Sequence, residues 1–385
     1  MCLFLIRYKM VGDKKNFWTA VSILIGTCIG AGVLGIPYIA SQSGFFVTLA
    51  YILGIGVIIL FLNLYLGEIA LRTKGDHQLV GYAEKYLGKK GKHLMEFSIV
   101  FGVYAAIVAY ALGIGESLSF LFFENSNYTT LFGIGFGVLM SVLFWRGRNS
   151  LKNFEKIGVA IILFLLLFIF FNFINKIDYS NLTYFNPENI FLPFGVVVFA
   201  LLAFHSIPEL KIILNKNKIA MKKALIIGTL TCILFYILFA FLILGYKGIS
   251  TPEVATIALG GIFILLGIFT MFTSWLSLGT ALEESYILDE KILKKKSWVF
   301  VSVIPLLIFL AVQFSDFFSF TIILSIGGVV SGGLAAILIL LMVRKAKDGG
   351  NRKPEYSVPI NWFVAAFFIL IFLAGIVREV FLALR

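Results

Sequence analysis

Stretches of about 20 apolar residues recur along the whole chain, and each is long enough to cross the hydrocarbon core of a bilayer as an α-helix. They predict eleven spans: 17–40, 45–71, 94–122, 129–147, 154–175, 189–210, 222–246, 261–285, 298–314, 317–343 and 360–382. With 60% hydrophobic and only 14% charged residues among 385, the chain does not fit a soluble domain. We therefore predict an all-α, multi-pass membrane protein.

Lysine and arginine are unevenly distributed between the junctions that join these spans. The N-terminal tail, residues 1–16, and the even-numbered junctions hold 28 of the 32 basic residues. Cytoplasmic loops of membrane proteins carry such an excess, so we expect a cytoplasmic N-terminus and, with an odd number of spans, an outer C-terminus. The net charge of +12 follows this topology and forms no patch for nucleic acid. The basic junction 74–93 is predicted to form a helix on the membrane surface.

The first span is rich in glycine. Gly26, Gly30, Gly32 and Gly35 fall within ten positions, and Pro37 closes the stretch. Glycine costs about 1 kcal/mol per residue in a helix interior, so we predict that this helix opens near its middle. Bared backbone groups are tolerated in a membrane where they line a cavity or contact a ligand. The alternative is that the glycines only allow neighbouring helices to approach closely.

The sixth span is interrupted as well. His205, Ser206, Pro208 and Glu209 stand where the apolar run should continue, and proline removes a backbone donor and crowds the preceding turn. Five spans separate this interruption from the first, so the second copy enters the membrane from the opposite side. Two interrupted helices at corresponding positions of oppositely oriented halves predict a transporter built from a 5+5 inverted repeat, with its site where both helices open.

Two motifs at these interruptions resemble a known family. GAGVLGIPYIA, at Gly30 to Ala40, resembles the first-span pattern G-x-G-[IVL]-L-x-[IL]-P-Y-A of the amino acid/auxin permease family, and FALLAFHSIPEL, at Phe199 to Leu210, is similar to that family's sixth-span pattern. The resemblance implies the leucine-transporter fold of the amino acid, polyamine and organocation superfamily. It implies repeats at 17–175 and 189–343, an outer loop at 176–188, a cytoplasmic loop at 344–359, and span eleven with the outer C-terminus at 360–385.

The resemblance also implies how an L-amino acid would bind. Its carboxylate would lie against free amides of the first helix, its amino group against carbonyls of the sixth, and its side chain against aromatic residues. The substrate-binding residues expected on this basis are Thr27, Cys28, Gly30, Ala31, Gly32, Phe199, Ala200, Leu202, Phe204, and Tyr104 or Tyr110 of span three. No acidic side chain is then required at mid-membrane.

A coupling ion is expected beside this site. Thr273 and Ser274 resemble the Thr-Ser pair that coordinates sodium in the leucine-transporter fold, and the other expected ligands are Gly26, Ile29 and Thr270. Hard oxygen ligands without a carboxylate suit a monovalent cation. Alternatively, such hydroxyls pack helices together or bond to their own backbone.

Coupling to H⁺ is the other possibility. Proton-coupled relatives can place a lysine of span five in this cavity, and here only Lys156, near the cytoplasmic end, is available. His205 is the second titratable candidate, because imidazole titrates near neutral pH. The alternative for His205 is a structural, hydrogen-bonding histidine that caps the break.

We therefore expect a secondary active transporter that imports neutral or aromatic L-amino acids with Na⁺ or H⁺ by alternating access, as a monomer in the plasma membrane and without a cofactor. A non-transporting amino-acid sensor on the same fold is the alternative. A channel should show a filter or a charged ring, and a membrane-embedded enzyme should show clustered catalytic side chains in mid-membrane positions; the sequence shows neither. The G-x-G-x-x-G at Gly30 to Gly35 follows no strand, so nucleotide binding is rejected.

Overall fold

The structure is a computed structural model that describes residues 2–146, 151–215, 217–315 and 317–383, and every regular element in these ranges is helical. The α-helices in chain order are α1 (Cys2–Cys28), α2 (Gly32–Ser43), α3 (Phe45–Arg72), α4 (Leu79–Phe123), α5 (Thr129–Arg146), α6 (Leu151–Phe173), α7 (Pro193–Leu201), α8 (Ile207–Ile213), α9 (Ala220–Lys247), α10 (Ile264–Glu284), α11 (Lys294–Trp298), α12 (Ile304–Gln313), α13 (Phe320–Gly327), α14 (Gly333–Gly349) and α15 (Trp362–Ala383). Parts of the predicted tail, junctions and C-terminus lie outside the described residues: Met1, 147–150, Lys216, Asp316, Leu384 and Arg385.

The helices agree with the predicted spans. In the described part of the chain, nine helices are long and apolar enough to cross a membrane, and the bent pair α1 and α2 makes a tenth. The shorter apolar helix Thr129–Trp145 corresponds to the predicted fourth span. The predicted surface helix at 74–93 forms the beginning of α4, which kinks at Gly88, where φ is 71°.

Both predicted interruptions occur, but the two prolines act differently from the prediction. α1 and α2 form a broken span with a bend of 49°. α2 continues past Pro37 to Ser43 and ends at Gly44, whose φ of 109° favours glycine. In the sixth span α7 ends at Leu201, and Pro208 lies in the first turn of α8. That position needs no amide donor, so Pro208 begins the second half-helix and does not cause the break.

The broken helices lie inside the bundle. α1 packs on α6, α9 and α10, while α2 packs on α3, α7 and α9. α4 packs on α10, α13 and α14, and α15 lies at the edge, mainly against α14. This arrangement encloses both breaks in protein, where their backbone groups can be tolerated within a membrane.

Most of the lysine-rich and arginine-rich junctions meet at one end of the bundle, called the basic end below. It comprises residues 73–81, 211–215, 217–223, 285–296 and 344–359. Hydrogen bonds join these segments directly: Lys211 Nζ donates to the Thr73 carbonyl at 3.1 Å, and the Gly81 amide donates to Asp289 at 2.9 Å. The opposite end is joined separately, where the Asn186 amide donates to the Ser43 carbonyl at 3.3 Å.

Candidate functional site

The first break bares backbone groups between Cys28 and Gly32. The Gly30 amide donates to the Cys28 carbonyl at 3.0 Å, and the Leu34 amide donates to the Ala31 carbonyl at 3.0 Å. Within the described chain, the amides of Ala31 and Gly32 donate to no backbone carbonyl outside the regular helices. They stand at the N-terminus of α2, where the helix dipole adds partial positive charge. Such amides can hold a carboxylate.

The second break lies directly beside the first. A Cβ atom on Gly32 would lie 2.5 Å from Ala200 Cα, so only glycine allows this approach of α2 to α7. Cys28 Sγ donates to the Ala200 carbonyl at 3.3 Å. The two opened helices therefore touch, backbone to backbone, beside their breaks.

Tyr236 of α9 joins the two breaks, and the sequence analysis did not identify it. Its hydroxyl lies 2.7 Å from the Cys28 carbonyl and 2.6 Å from the Ala200 carbonyl, and its side chain is fully buried. A phenol has one proton, so two carbonyls share one donor there. The signal that could have found it is a tyrosine in the middle of the predicted span 222–246.

A narrow cavity extends from the breaks toward the basic end. The residues that line it are Thr27, Cys28, Gly30, Gly102, Ala106, Tyr110, Phe199, Leu202, His205, Leu278, Gly327 and Ser331. None of these is acidic, lysine or arginine, so recognition there depends on backbone groups and hydrogen bonds. The volume of this cavity is about 20 Å³, which is room for about one water molecule. An amino acid therefore needs the walls to move apart.

The predicted substrate residues fall into three groups. Those that line the cavity are Thr27, Cys28, Gly30, Phe199, Leu202 and Tyr110. Ala31, Gly32, Ala200 and Phe204 are buried but do not line it. Tyr104 lies elsewhere, because its hydroxyl donates to the Phe300 carbonyl at 2.9 Å. Six residues at about 100° each separate it from Tyr110 by about 240° around α4, so the two tyrosines face different sides.

Sequence reasoning missed most of the small residues of the cavity wall. Gly102, Ala106 and Tyr110 follow one face of α4 at a spacing of four, and Gly327 and Ser331 repeat that spacing. Such residues carry no distinctive chemistry, since small residues also serve helix packing. The four-residue spacing from Tyr110 was the signal that could have found those on α4.

The imidazole of His205 faces the cavity without a partner. Both of its ring nitrogens are buried, and neither has a hydrogen bond within the described structure. The hydrogen bonds expected of the alternative, in which His205 caps the break, are therefore not seen among the described residues. Its predicted part in proton coupling remains a prediction.

Several of the oxygen atoms predicted for a coupling ion meet at Ser274. Its hydroxyl lies 2.7 Å from the Gly26 carbonyl, 3.1 Å from that of Ile29 and 3.4 Å from that of Thr27. One hydroxyl proton serves three carbonyls, which leaves acceptor capacity that suits a cation. Gly30 separates this cluster from the cavity, because its Cβ would lie 2.7 Å from both Ser274 Oγ and Tyr110 Oη.

Thr273 lies next to this cluster but bonds within its own helix. Its hydroxyl is 3.0 Å from the carbonyls of Thr270 and Phe269, and both threonines are fully buried. The methyl group of Thr273 packs against Gly158 of α6, where a Cβ would lie 2.2 Å from Thr273 Cγ2. The side chain of Lys156, the predicted proton-coupling lysine, lies outside the described residues.

Comparison with known proteins gives a family and a fold. The sequence profile of the tryptophan/tyrosine permease family matches residues 13–381. The crystal structure of MhsT in complex with L-phenylalanine superposes with a TM-score of 0.68 over 93% of this chain and 98% of that one, at 15% identity. This likeness shows the fold, which is that of the leucine transporter.

Two bacterial relatives have curated functions. The tyrosine-specific transport system 1 of Haemophilus influenzae is 27% identical over 221 residues, which is 56% of this chain and 54% of the relative. The tryptophan-specific transport protein of Shigella flexneri is 27% identical over 253 residues, 62% of this chain and 59% of that protein. The matched part thus spans somewhat more than half of each relative's length.

Proposed function

The chain belongs to the tryptophan/tyrosine permease family, and on this premise we propose that it is a secondary active transporter that imports aromatic L-amino acids with Na⁺ by alternating access. The observation that carries the proposal is the contact of two opened helices beside a cavity lined by Thr27, Cys28, Gly30, Phe199 and Leu202. The names of the tyrosine-specific and tryptophan-specific relatives favour aromatic substrates. A permease family also favours transport over enzymatic catalysis.

The zwitterionic part of the substrate bridges the two breaks. Its carboxylate binds the amides of Ala31 and Gly32, at the positive end of α2, and its amino group binds carbonyls of the second break near Phe199. The ring of the side chain then lies against Phe199, Leu202 and Leu278. Because the carboxylate binds amides and the amino group binds carbonyls, a cavity without charged side chains could hold a zwitterion.

Sodium is the coupling ion that the geometry favours. Gly26, Ile29, Thr270, Thr273 and Ser274 together would supply three carbonyl and two hydroxyl oxygens, and the cluster at Ser274 already has more acceptors than donors. The residue of α6 that faces Thr273 is Gly158, which has no side chain that could take part in proton coupling. Proton coupling through His205 is the competing arrangement.

Transport requires this structure to open, because the cavity in its present form is too small for an amino acid. The repeats that move against each other are 17–175 and 189–343. We propose that the protein lies in the plasma membrane, with the basic end and the N-terminus in the cytoplasm and the C-terminus outside. A monomer is the proposed functional unit. The narrower resemblance to the amino acid/auxin permease family stays a prediction.

Uptake into liposomes tests the proposal. The purified full chain should accumulate radiolabelled L-tyrosine or L-tryptophan saturably when an inward Na⁺ gradient is imposed. Ser274→Ala and Thr273→Ala should each raise the Na⁺ concentration for half-maximal uptake about tenfold, since each removes one hard oxygen ligand. Ser141→Ala is the matched control, because in the described part of the chain its hydroxyl bonds only within α5, to the Gly137 carbonyl at 2.8 Å.

Three results would contradict parts of this proposal. Uptake that depends equally on Na⁺ in both variants and the wild type would exclude the ion site. Ligand-dependent thermal stabilisation without any flux would favour the alternative, a non-transporting sensor on the same fold. Flux that never saturates with substrate would favour a channel.

A further inference from the structure

His205 lines the cavity with both of its ring nitrogens unused for hydrogen bonding. Among the described residues neither Nδ1 nor Nε2 has a partner, and both are shielded from solvent. A buried polar group without a partner is costly, so a native structure that keeps one generally uses it. The residue also lines the cavity that the two breaks share.

Neighbouring polar groups in the first break do not compete for this role. The Thr27 hydroxyl donates to the Ile23 carbonyl at 2.8 Å, and the Cys28 thiol donates to the Ala200 carbonyl at 3.3 Å. Most other side chains of the cavity wall are apolar, including Leu202, Leu278 and Ala106, while Tyr110 and Ser331 contribute hydroxyl groups. A ligand group that reaches the imidazole therefore lies in a mainly apolar wall, with the ring nitrogens available as hydrogen-bond partners.

The position of His205 along the bundle identifies which part of a substrate it meets. From the first break, α2 leads away from the basic end, whereas from His205 the chain leads through α8 to Lys211 at the basic end. Leu278 also lies four residues, about 6 Å, nearer the basic end than Ser274 along α10. A zwitterion held at the breaks therefore points its side chain toward His205.

We propose that His205 binds the hydrogen-bond donor on an aromatic substrate side chain, the phenol O–H of tyrosine or the indole N–H of tryptophan, and so selects these substrates over phenylalanine. Neutral imidazole has one nitrogen that accepts such a donor. The apolar walls hold the ring, and the hydrogen bond adds discrimination that they alone cannot supply. This inference rests on the proposed function, since it needs an aromatic L-amino acid in this cavity.

Binding measurements on the purified full chain in Na⁺ test the inference. Wild-type protein should bind L-tyrosine and L-tryptophan about tenfold more tightly than L-phenylalanine. His205→Phe keeps a ring but removes both nitrogens, so it should weaken tyrosine and tryptophan binding about tenfold and leave phenylalanine binding unchanged. His93→Phe is the matched control, because the side chain of His93 is 74% exposed outside the cavity.

A ligand series on the wild type gives the same information without a variant that has to fold. L-4-aminophenylalanine, which keeps a donor, should bind like tyrosine, and L-4-fluorophenylalanine, which has none, should bind like phenylalanine. Equal affinity for tyrosine, 4-fluorophenylalanine and phenylalanine would overturn the inference and leave the proposed function intact. An equal loss of all three ligands in His205→Phe would also overturn it and favour a proton-coupling or structural role. A wild type that binds no L-amino acid would overturn both.

Discussion

Gly30 lies where the candidate substrate and ion sites meet. A methyl group there would lie 2.7 Å from the hydroxyls of Ser274 and Tyr110, so both would have to move. We expect Gly30→Ala to weaken Na⁺-dependent amino-acid binding at least tenfold, because it displaces one group from each site. Gly135→Ala is the control, since a methyl group at Gly135 would have nothing within 4 Å. Isothermal titration with and without Na⁺ measures the effect, and equal affinities in the two variants would contradict it.

The hydroxyl of Tyr236 holds the two breaks in register. Tyr236→Phe leaves the carbonyls of Cys28 and Ala200 without this donor, at a cost of about 1–3 kcal/mol to the folded state. We expect a lower melting temperature and about tenfold weaker substrate binding. Tyr65→Phe separates the two effects, because it removes a similar bond, to the Pro359 carbonyl at 3.0 Å, far from the cavity. Tyr65→Phe should lower the melting temperature and leave substrate affinity unchanged. If Tyr65→Phe weakened substrate binding as much as Tyr236→Phe does, the Tyr236 hydroxyl would act through stability alone.

Residues with distinctive backbone chemistry were predictable, and residues defined by packing were not. Gly30 and Phe199 follow from motif and glycine content, and both line the cavity. Tyr236 and Leu278 depend on which helices become neighbours, which no local pattern encodes. Tyr104 and Tyr110 were not distinguished because their faces depend on the rotation of α4 about its axis.

The backbones of α2 and α7 approach closely where the two half-helices cross. Gly32→Ala would place its Cβ 2.5 Å from Ala200 Cα, a backbone atom that cannot turn aside. We expect α2 and α7 to separate, with a loss of about 1–3 kcal/mol in stability and loss of substrate binding. Gly54→Ala in α3, where a Cβ meets nothing within 4 Å, should be neutral or stabilising by up to about 1 kcal/mol. Thermal denaturation of both variants decides the point, and equal melting temperatures would contradict the prediction.

Helix existence was predictable, while helix irregularity was predictable only where glycine clusters. The break at residues 29–31 follows from glycine content. The predicted roles of Pro37 and Pro208 were wrong, because neither proline ends a helix. Pro37 lies inside α2, and Pro208 occupies the first turn of α8, where no amide donor is needed. The π-helical turn at Gly328–Gly332 also lies in a glycine cluster. The π-helical turn at Val299–Val303 has no sequence signal of its own, since an extra residue in a turn is stabilised by tertiary packing.

At the scale of the whole molecule, the basic end is closed by hydrogen bonds between both repeats. Residues 73–78 connect α3 to α4, and their backbone carbonyls accept from Lys211 of α8. Gln78 of the same segment donates to Glu284 of α10 at 2.8 Å. The loop 350–359 is held on α3 in turn, because buried Glu68 accepts from the Ser357 hydroxyl at 2.8 Å and the Val358 amide at 2.7 Å. In the proposed transport cycle, opening toward this end breaks the bonds of Lys211 and Gln78. These bonds then contribute to the energy difference between the closed and open states.

Lys211 is the side chain whose removal should shift that balance. It is buried and donates to the carbonyls of Thr73 and Gly75. Lys211→Met keeps much of the apolar stem but leaves both carbonyls unpaired in the closed state only, since water reaches them once the end opens. A penalty near 1.4 kcal/mol raises the open population about tenfold.

Cys28 is a natural reporter of this opening, because its thiol lines the cavity and is buried in the closed state. In a background with Cys2 and Cys232 replaced by serine, Lys211→Met should increase the rate of Cys28 alkylation by a small maleimide about tenfold. Lys176→Met, at the opposite end, should leave the rate unchanged. Saturating L-tyrosine should slow the reaction in the Lys211 variant, because ligand and reagent compete for the same cavity. An unchanged alkylation rate in Lys211→Met would mean that the closed state is held by other contacts, of which the Gln78 to Glu284 bond is the next to remove.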